Sequence, residues 1–415
     1  MNIAAMNLEE SKVDDAIRWY KKCKCDEAII HLVFLLSKTC NWVERNNLLE
    51  DAVNIISNVL SNANTTLNSI QPFYLSIMHN LSPSEILTIS KKYARRIESN
   101  TVLTKFDRIN CTKVKCTCIR IGYVSSAFGN HPIGFLTQSL YKLHDRNNFE
   151  VYCFSLTKSD QSETFSKISN DVDSFHDLSA CKSCEDAIQR IKNQNIDILI
   201  NLDGWVKDSW NEIISARAAP IQILMMGHCG TTGASFVDYI VSDEVIIPME
   251  HTKYFTEKML CVPNCFLIND HKQSASFILE DDFEEVYDLR LQYGISEDSF
   301  VYACFNQPFK IEPEIFFVWM QILLEVPNSV FVLNEYNAQS KKNLKEAAKE
   351  YGVDPQRLVF FDIIPFDKHL KRCRIVDLVL DTRVCGCMAA GCDALWCGIP
   401  LITIQGNFHF KDIKL

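Results

Sequence analysis

Three strand-end loops in the second half of the chain carry residue types suited to anion and nucleotide chemistry. In FNQPFKIEP, Gln307 and Lys310 sit just past the apolar run FVYACFN. A lysine there can neutralise a phosphate as a point charge, although a lone lysine is more often simply solvated. In DTRVCGCMAAGCDALW, a strand end, a glycine-containing loop and a helix start follow in order. Free N–H groups and the positive helix end make such a turn an anion site. Asp393 lies on that helix, where it can accept from ribose hydroxyls. IIPFDKHLKR places His369 and Arg372 on a short helix.

The first half carries its own set. SSAFGNHP puts His131 on a loop, where a capping or buried histidine is the simpler alternative. Gly204-Trp205 follows DILINLD, and GHCGTTG holds Gly227, Gly230 and Gly233 within seven residues. Glycines allow backbone to approach a ligand closely, yet most such turns are only turns. Neither GxxxxGK[ST] nor GxGxxG occurs, so a P-loop ATPase or a standard dinucleotide enzyme is not supported.

These loops need strands and helices to hold them. The first hundred residues read as helix: 14–38, 46–60, and 84–97 with Ser84 as cap. From Lys113 short β-rich runs alternate with helices. Strands are expected at 118–124, 150–156, 197–204, 220–227 and 237–244, with helices at 133–144 and 184–193. After Gly294 the pattern restarts, with strands at 300–306, 329–334, 358–364, 376–382 and 400–404 and helices at 313–325, 339–351 and 389–397. Such alternation indicates βαβ units and parallel sheets. The expectation is an α/β chain of two doubly wound, Rossmann-like domains behind a helical segment. That segment spans 1–110, the first Rossmann-like domain 111–285 and the second 286–415. The boundary lies near the acidic stretch 270–293. Ligands of such sheets bind at the carboxyl ends of strands.

Composition narrows the class. The chain has 415 residues, 42 Lys plus Arg against 52 Asp plus Glu, and a net charge of −10. No nucleic-acid partner is expected, because phosphate backbones call for a basic surface. No window approaches a membrane span, and the first residues, MNIAAMNLEESKVD, lack a signal-peptide pattern, so no membrane association is expected. The 18 cysteines are then expected as free thiols of a reducing compartment. Cys23-x-Cys25, Cys116-x-Cys118, Cys181-x-x-Cys184 and the set Cys385, Cys387, Cys392 and Cys397 have spacings that zinc ligands can show, but they are scattered and lack two tight pairs about a knuckle.

Taken in order, GYVSSAFGNHP, FHDLS, DGWVKDSWNE, RAAPIQILMMGHCGTTGASFVDYIVSDE, FNQPFKIEP, PFDKHLKR, IVDLVLDT and CDALWCGIPLITIQG resemble the catalytic region of the protein O-linked N-acetylglucosamine (O-GlcNAc) transferases. The resemblance runs from about residue 40 to the C-terminus. It implies a GT-B architecture, UDP-GlcNAc as donor, Ser/Thr hydroxyls of nucleocytoplasmic proteins as acceptors, inversion at the anomeric carbon, and neither metal nor other cofactor. It further implies that His131 is the long-discussed base candidate and that Lys310 steadies the departing diphosphate with Gln307 beside it. His369 would pack on the uracil, with Arg372 and the backbone at Ile364 in the same pocket, and Asp393 would hold the ribose. Cys385, Met388, Ala389 and Ala390 would line the diphosphate loop, and Trp205, Met226 and Gly227 would meet the sugar.

The chain departs from the family's pattern in places. Where the family offers His-Thr-Thr before the final helix, this chain has Met388-Ala389-Ala390, and Phe366 replaces a lysine of the uracil motif. Family members continue well past the PLITI strand, whereas this sequence ends at Leu415. Only a stub corresponds to the family's long tetratricopeptide superhelix. Two other readings follow: a catalytically impaired descendant acting as a binding protein, and a spindly-type protein O-fucosyltransferase.

Overall fold

The computed structural model describes residues 13–67, 69–101, 118–206, 209–279 and 284–404. Cys111, Cys116 and the acidic residues 280–282 of the expected boundary lie outside the described residues. The chain divides into two compact units, one of Gln71–Ser76 and Leu81–Ser274, the other of Met1–Ile70, Ile77–Asn80 and Ala275–Leu415.

The first unit holds a seven-stranded parallel sheet: β1 (Ile119–Ser125), β2 (Phe149–Ser155), β3 (Ser174–Asp177), β4 (Ile198–Asn201), β5 (Ile221–Leu224), β6 (Tyr239–Ser242) and β7 (Lys258–Cys261), in the order β3-β2-β1-β4-β5-β6-β7. The second holds a five-stranded parallel sheet: β8 (Phe300–Cys304), β9 (Ser329–Asn334), β10 (Leu358–Phe361), β11 (Leu378–Leu380) and β12 (Leu401–Ile402), in the order β10-β9-β8-β11-β12. Central strands are apolar on both faces because helices cover both. On one face of β1 and β2, Ile121, Tyr123, Val151 and Cys153 pack with Phe128, Tyr141, Phe165 and Ile168. In the five-stranded unit, the helix Pro313–Glu325 buries Ile315, Phe316, Trp319, Met320 and Leu323 against Phe331 and Leu333.

Each sheet reverses direction once. The strand order switches sides between β1 and β4 in the larger sheet and between β8 and β11 in the smaller. Such switch points open a crevice at the carboxyl ends of the two strands, where ligands of doubly wound sheets bind.

The N-terminal helices divide between the units. Val13–Tyr20, Asp26–Lys38 and Trp42–Ser61 belong to the five-stranded unit. There the Trp42 indole donates to Ile311 O at 3.3 Å and stacks obliquely on Phe316, while Asn343 donates to Thr39 O at 2.8 Å. Pro83–Asn100 belongs to the other unit.

Several expected elements shift. The helix expected over 14–38 is two helices. Lys22 N and Cys23 N bond three residues back, to Trp19 O and Tyr20 O, which closes the first helix, and Asp26 and Glu27 open the second. The helix expected over 133–144 is only Pro132–Thr137 followed by a single tight turn at Tyr141–Leu143. The cap of Pro83–Asn100 is Ser82 rather than Ser84. Pro83 fits the first helical position, and Ser82 with Glu85 forms a reciprocal capping box. The edge strands β3 and β7 were not expected at all.

Candidate active site

At the β8/β11 switch point a buried carboxylate ties the two strand ends together. Asp381 is 4% exposed and accepts from Asn306 Nδ2 at 2.9 Å, the backbone of Thr382 at 2.7 Å and Thr403 Oγ1 at 2.8 Å. Asn306 Nδ2 also reaches Thr382 Oγ1, and that hydroxyl donates to Cys385 O at 2.6 Å. Lys310 rises from the single turn Pro308–Lys310 that follows β8. Its ammonium donates to Gly386 O at 2.9 Å and Asn306 Oδ1 at 3.3 Å. Both acceptors are neutral, so the cation is oriented but its charge is not cancelled by them. Burial pushes the nearby Cys385 thiol up, with Lys310 opposing.

The next helix, Met388–Trp396, begins at this loop. Its cap residue Cys387 supplies no side-chain hydrogen bond to the first turn. Met388, Ala389 and Ala390 are half-buried there, and Met388 has a φ of 28°. Backbone N–H groups of an uncapped first turn, the positive helix end and a fixed ammonium are groups of the kind that suit an anion. Gln307 is half-buried at the start of the lysine turn.

A second group follows β10. Ile364 is half-buried just before the helix Phe366–Cys373, which carries His369 and Arg372. Arg372 is 2% exposed. Its guanidinium lies 4.3 Å from the Phe361 ring centroid and donates to Asp362 O at 3.0 Å, Tyr293 Oη at 3.3 Å and His369 Nδ1 at 3.2 Å. It therefore holds the histidine from behind. Because Nδ1 accepts, a neutral His369 carries its proton on Nε2. Burial lowers the His369 pKa to about 4, with the Asp393 carboxylate opposing and Arg372 reinforcing. Asp393 thus shares this corner, and its helix links the two groups of the five-stranded unit.

The β1/β4 switch point uses the same device. Asp203, 1% exposed, accepts from Ser125 Oγ at 2.6 Å and from the backbone of Ser126 at 2.7 Å. His131 caps Pro132–Thr137, its Nδ1 accepting from Ile133 N at 3.2 Å. The capping alternative raised from sequence therefore holds. The surrounding protein lowers the His131 pKa by desolvation, although the residue is exposed. A neutral ring with Nδ1 accepting carries its proton on Nε2 and is a donor there.

The glycine loop after β5 is braced throughout. Glu257, 6% exposed, accepts from Thr231 Oγ1 at 2.8 Å, Thr232 N at 2.7 Å and Thr232 Oγ1. A Cβ at Gly233, where φ is +66°, would stand 2.3 Å from Lys91 N, so only glycine fits. Met226 is buried with a φ of 74°, and Gly227 N donates to Leu202 O at 2.9 Å. Trp205 is 2% exposed and its indole donates to Thr232 O at 2.7 Å, which places it behind this loop as a support.

The structure therefore gathers Gln307, Lys310, Cys385 and Met388–Ala390 at one switch point, and Ile364, His369, Arg372 and Asp393 beside it. His131, Trp205, Met226 and Gly227 belong to the other unit. Sequence reasoning missed Asn306, Asp381 and Asp203. Their signal is a polar residue at the carboxyl end of an apolar parallel strand, as in CFN, VLD and NLD.

Comparison with known proteins agrees with this layout. The model of glycosyl transferase family 41 matches residues 39–287 and 280–409. A probable UDP-N-acetylglucosamine–peptide N-acetylglucosaminyltransferase of Arabidopsis thaliana is 38% identical over 381 residues, 90% of this chain and 38% of that protein. The UDP-N-acetylglucosamine–peptide N-acetylglucosaminyltransferase of Caenorhabditis elegans is 27% identical over 88% of this chain and 41% of its own length. The chain thus spans about two fifths of the length of these relatives. The solved structure of a K341M mutant O-GlcNAc transferase from Thermobaculum terrenum superposes with a TM-score of 0.74 at 21% identity, covering 97% of this chain and 73% of that one. That likeness establishes the two-domain Rossmann-like, GT-B type fold. On the family match and the Arabidopsis identity, the chain belongs to glycosyl transferase family 41.

Proposed function

We propose that the protein transfers N-acetylglucosamine from UDP-GlcNAc to Ser/Thr hydroxyls of intracellular proteins, with inversion and without a metal. The observation that carries this reading is Lys310, an oriented ammonium held by neutral acceptors beside an uncapped helix N-terminus. A departing UDP develops charge on its diphosphate, and preorganised donors at that point lower the barrier. His369 offers a neutral ring for the base and Asp393 an acceptor for the ribose. His131 serves as a hydrogen-bond donor through Nε2, since its Nδ1 is committed to Ile133 N.

A specific observation favours a second reading, a descendant that binds without turning over. Met388-Ala389-Ala390 offers no hydroxyl or imidazole at the anion site. Each missing hydrogen bond to a charged group costs about 1.5–3 kcal/mol. Among the described residues no helix is long and apolar enough to cross a membrane. Placement in the cytoplasm or nucleus rests on the resemblance.

The deciding experiment incubates the protein with radiolabelled UDP-GlcNAc and an acceptor peptide, with GDP-fucose as a parallel donor. Label from UDP-GlcNAc on a peptide hydroxyl is expected. UDP binding without transfer supports the second reading, and transfer from GDP-fucose alone supports the fucosyltransferase.

A further inference from the structure

Two cysteines outside the proposed chemistry meet at the corner that holds His369 and Asp393. Cys373 is the last residue of the helix Phe366–Cys373, and Cys397 follows the helix Met388–Trp396 as its C-terminal cap. Cys397 packs against the buried cluster that contains Cys373. Cys397 also donates to Leu370 O at 3.3 Å, on the Cys373 helix. Cys373 is fully buried, with its sulfur 3.5 Å from His369 Nε2, whereas Cys397 is only half-buried. Both are free thiols.

We propose that Cys373 and Cys397 form a peroxide-sensitive dithiol that controls nucleotide binding through His369 and Asp393. This regulation rests on the reading of those two residues as nucleotide ligands. The reaction begins at the accessible sulfur. The Cys397 thiolate attacks hydrogen peroxide, the O–O bond breaks, and Cys397 becomes a sulfenic acid with release of hydroxide. The Cys373 sulfur then attacks the Cys397 sulfur. The S–O bond breaks, an S–S bond forms, and the Cys373 proton leaves with the hydroxyl as water. Overall, two thiols and one peroxide give one disulfide and two waters.

One nearby charge assists the buried thiol. The Arg372 guanidinium favours negative charge on the Cys373 sulfur, whereas the Asp393 carboxylate opposes it, and His369 Nε2 lies 3.5 Å from that sulfur. Burial otherwise pushes the Cys373 thiol well up, which protects it from direct attack and fixes the order of events. The disulfide would draw the end of the His369 helix onto the end of the Asp393 helix and remove the sulfur contact at the imidazole edge. A ring that must meet a planar base tolerates little displacement.

The test titrates hydrogen peroxide into the wild-type protein, Cys397→Ser and Cys373→Ala. It maps disulfides by peptide mass spectrometry and measures UDP affinity by calorimetry before and after oxidation. A Cys373–Cys397 linked peptide is expected in the wild type only. UDP affinity should fall at least about tenfold and return with dithiothreitol. Both variants should keep their affinity in peroxide. Oxidation that leaves these two cysteines unlinked overturns the proposal, and so does a linked peptide with unchanged UDP affinity. If the reduced protein shows no UDP binding at all, the nucleotide reading itself has failed and the regulatory claim falls with it. The disulfide map then still reports on the chemistry of the pair.

Discussion

The two switch points are built on one plan and end in different chemistry. At each, a buried aspartate on the second strand end accepts from a polar residue on the first: Asp203 from Ser125, and Asp381 from Asn306. Beyond that tie they diverge. The β1/β4 crevice is followed by His131 on a six-residue helix, and its neighbour loop 227–233 spends its donors internally on Glu257 and on buried backbone. The β8/β11 crevice adds an oriented lysine and an uncapped nine-residue helix. The difference teaches that the aspartate tie is scaffolding common to both crevices, whereas the proposed anion binding rests on the groups around it at the β8/β11 crevice, Lys310 and the uncapped helix start.

The strongest way to break this contrast is Lys310→Met. Removing the cation should lower sugar transfer to a peptide by about a thousandfold, because it deletes transition-state charge stabilisation. Thermal unfolding followed by circular dichroism should barely move, since the lysine contacts only neutral acceptors. A large drop in melting temperature would mean that Lys310 is structural.

Next in size is the pair Asp203→Ala and Asp381→Ala. Each strips a buried acceptor from several donors and should cost about 3 kcal/mol in urea unfolding. Only Asp381→Ala should also abolish UDP binding at protein concentrations where the chain remains folded. Equal loss of UDP binding in both would erase the distinction between the crevices.

Restoring Met388→His, Ala389→Thr and Ala390→Thr together should tighten UDP by about a hundredfold, taking two hydrogen bonds at about 1.5 kcal/mol each. No change in calorimetric affinity would remove this turn from the diphosphate.

The smallest effect concerns pH. Burial lowers His31, His79 and His228 from 6.5 to about 4. Between those values the unfolded chain binds protons that the folded chain refuses. Stability is therefore fully present above pH 6.5 and falls on acidification toward pH 4, by up to about 1.4 kcal/mol per pH unit for each histidine. His79→Gln should make denaturation curves measured at pH 5 and pH 7 more alike.

Much of the layout was legible in the sequence. Parallel strands covered on both faces read as apolar runs, so every central strand and the reset after Gly294 stood out. The edge strands of the seven-stranded sheet did not. Ser174–Asp177 and Lys258–Cys261 are half-exposed or exposed, and their composition matches a loop. The break between Tyr20 and Asp26 was hidden because Lys21 and Lys22 continue a plausible helical face while the backbone tightens beneath them. At the site, Lys310 and the glycine-containing loop were visible as residue types. The ties made by Asp381 and Asp203 were not, because an acceptor shared between strand ends exists only once the sheet has set the strand order. Trp205 shows the opposite case: the resemblance places it at the sugar, and the structure packs it against Tyr93 and Phe236 behind the glycine loop.

The most direct test of the central claim is a calorimetric titration of UDP into the wild-type protein and Lys310→Met, each with excess EDTA. The account predicts saturable binding to the wild type with a dissociation constant of about a millimolar or tighter, clearly weakened in the variant. Absence of binding to the wild type at millimolar UDP, or equal binding to both proteins, would contradict it.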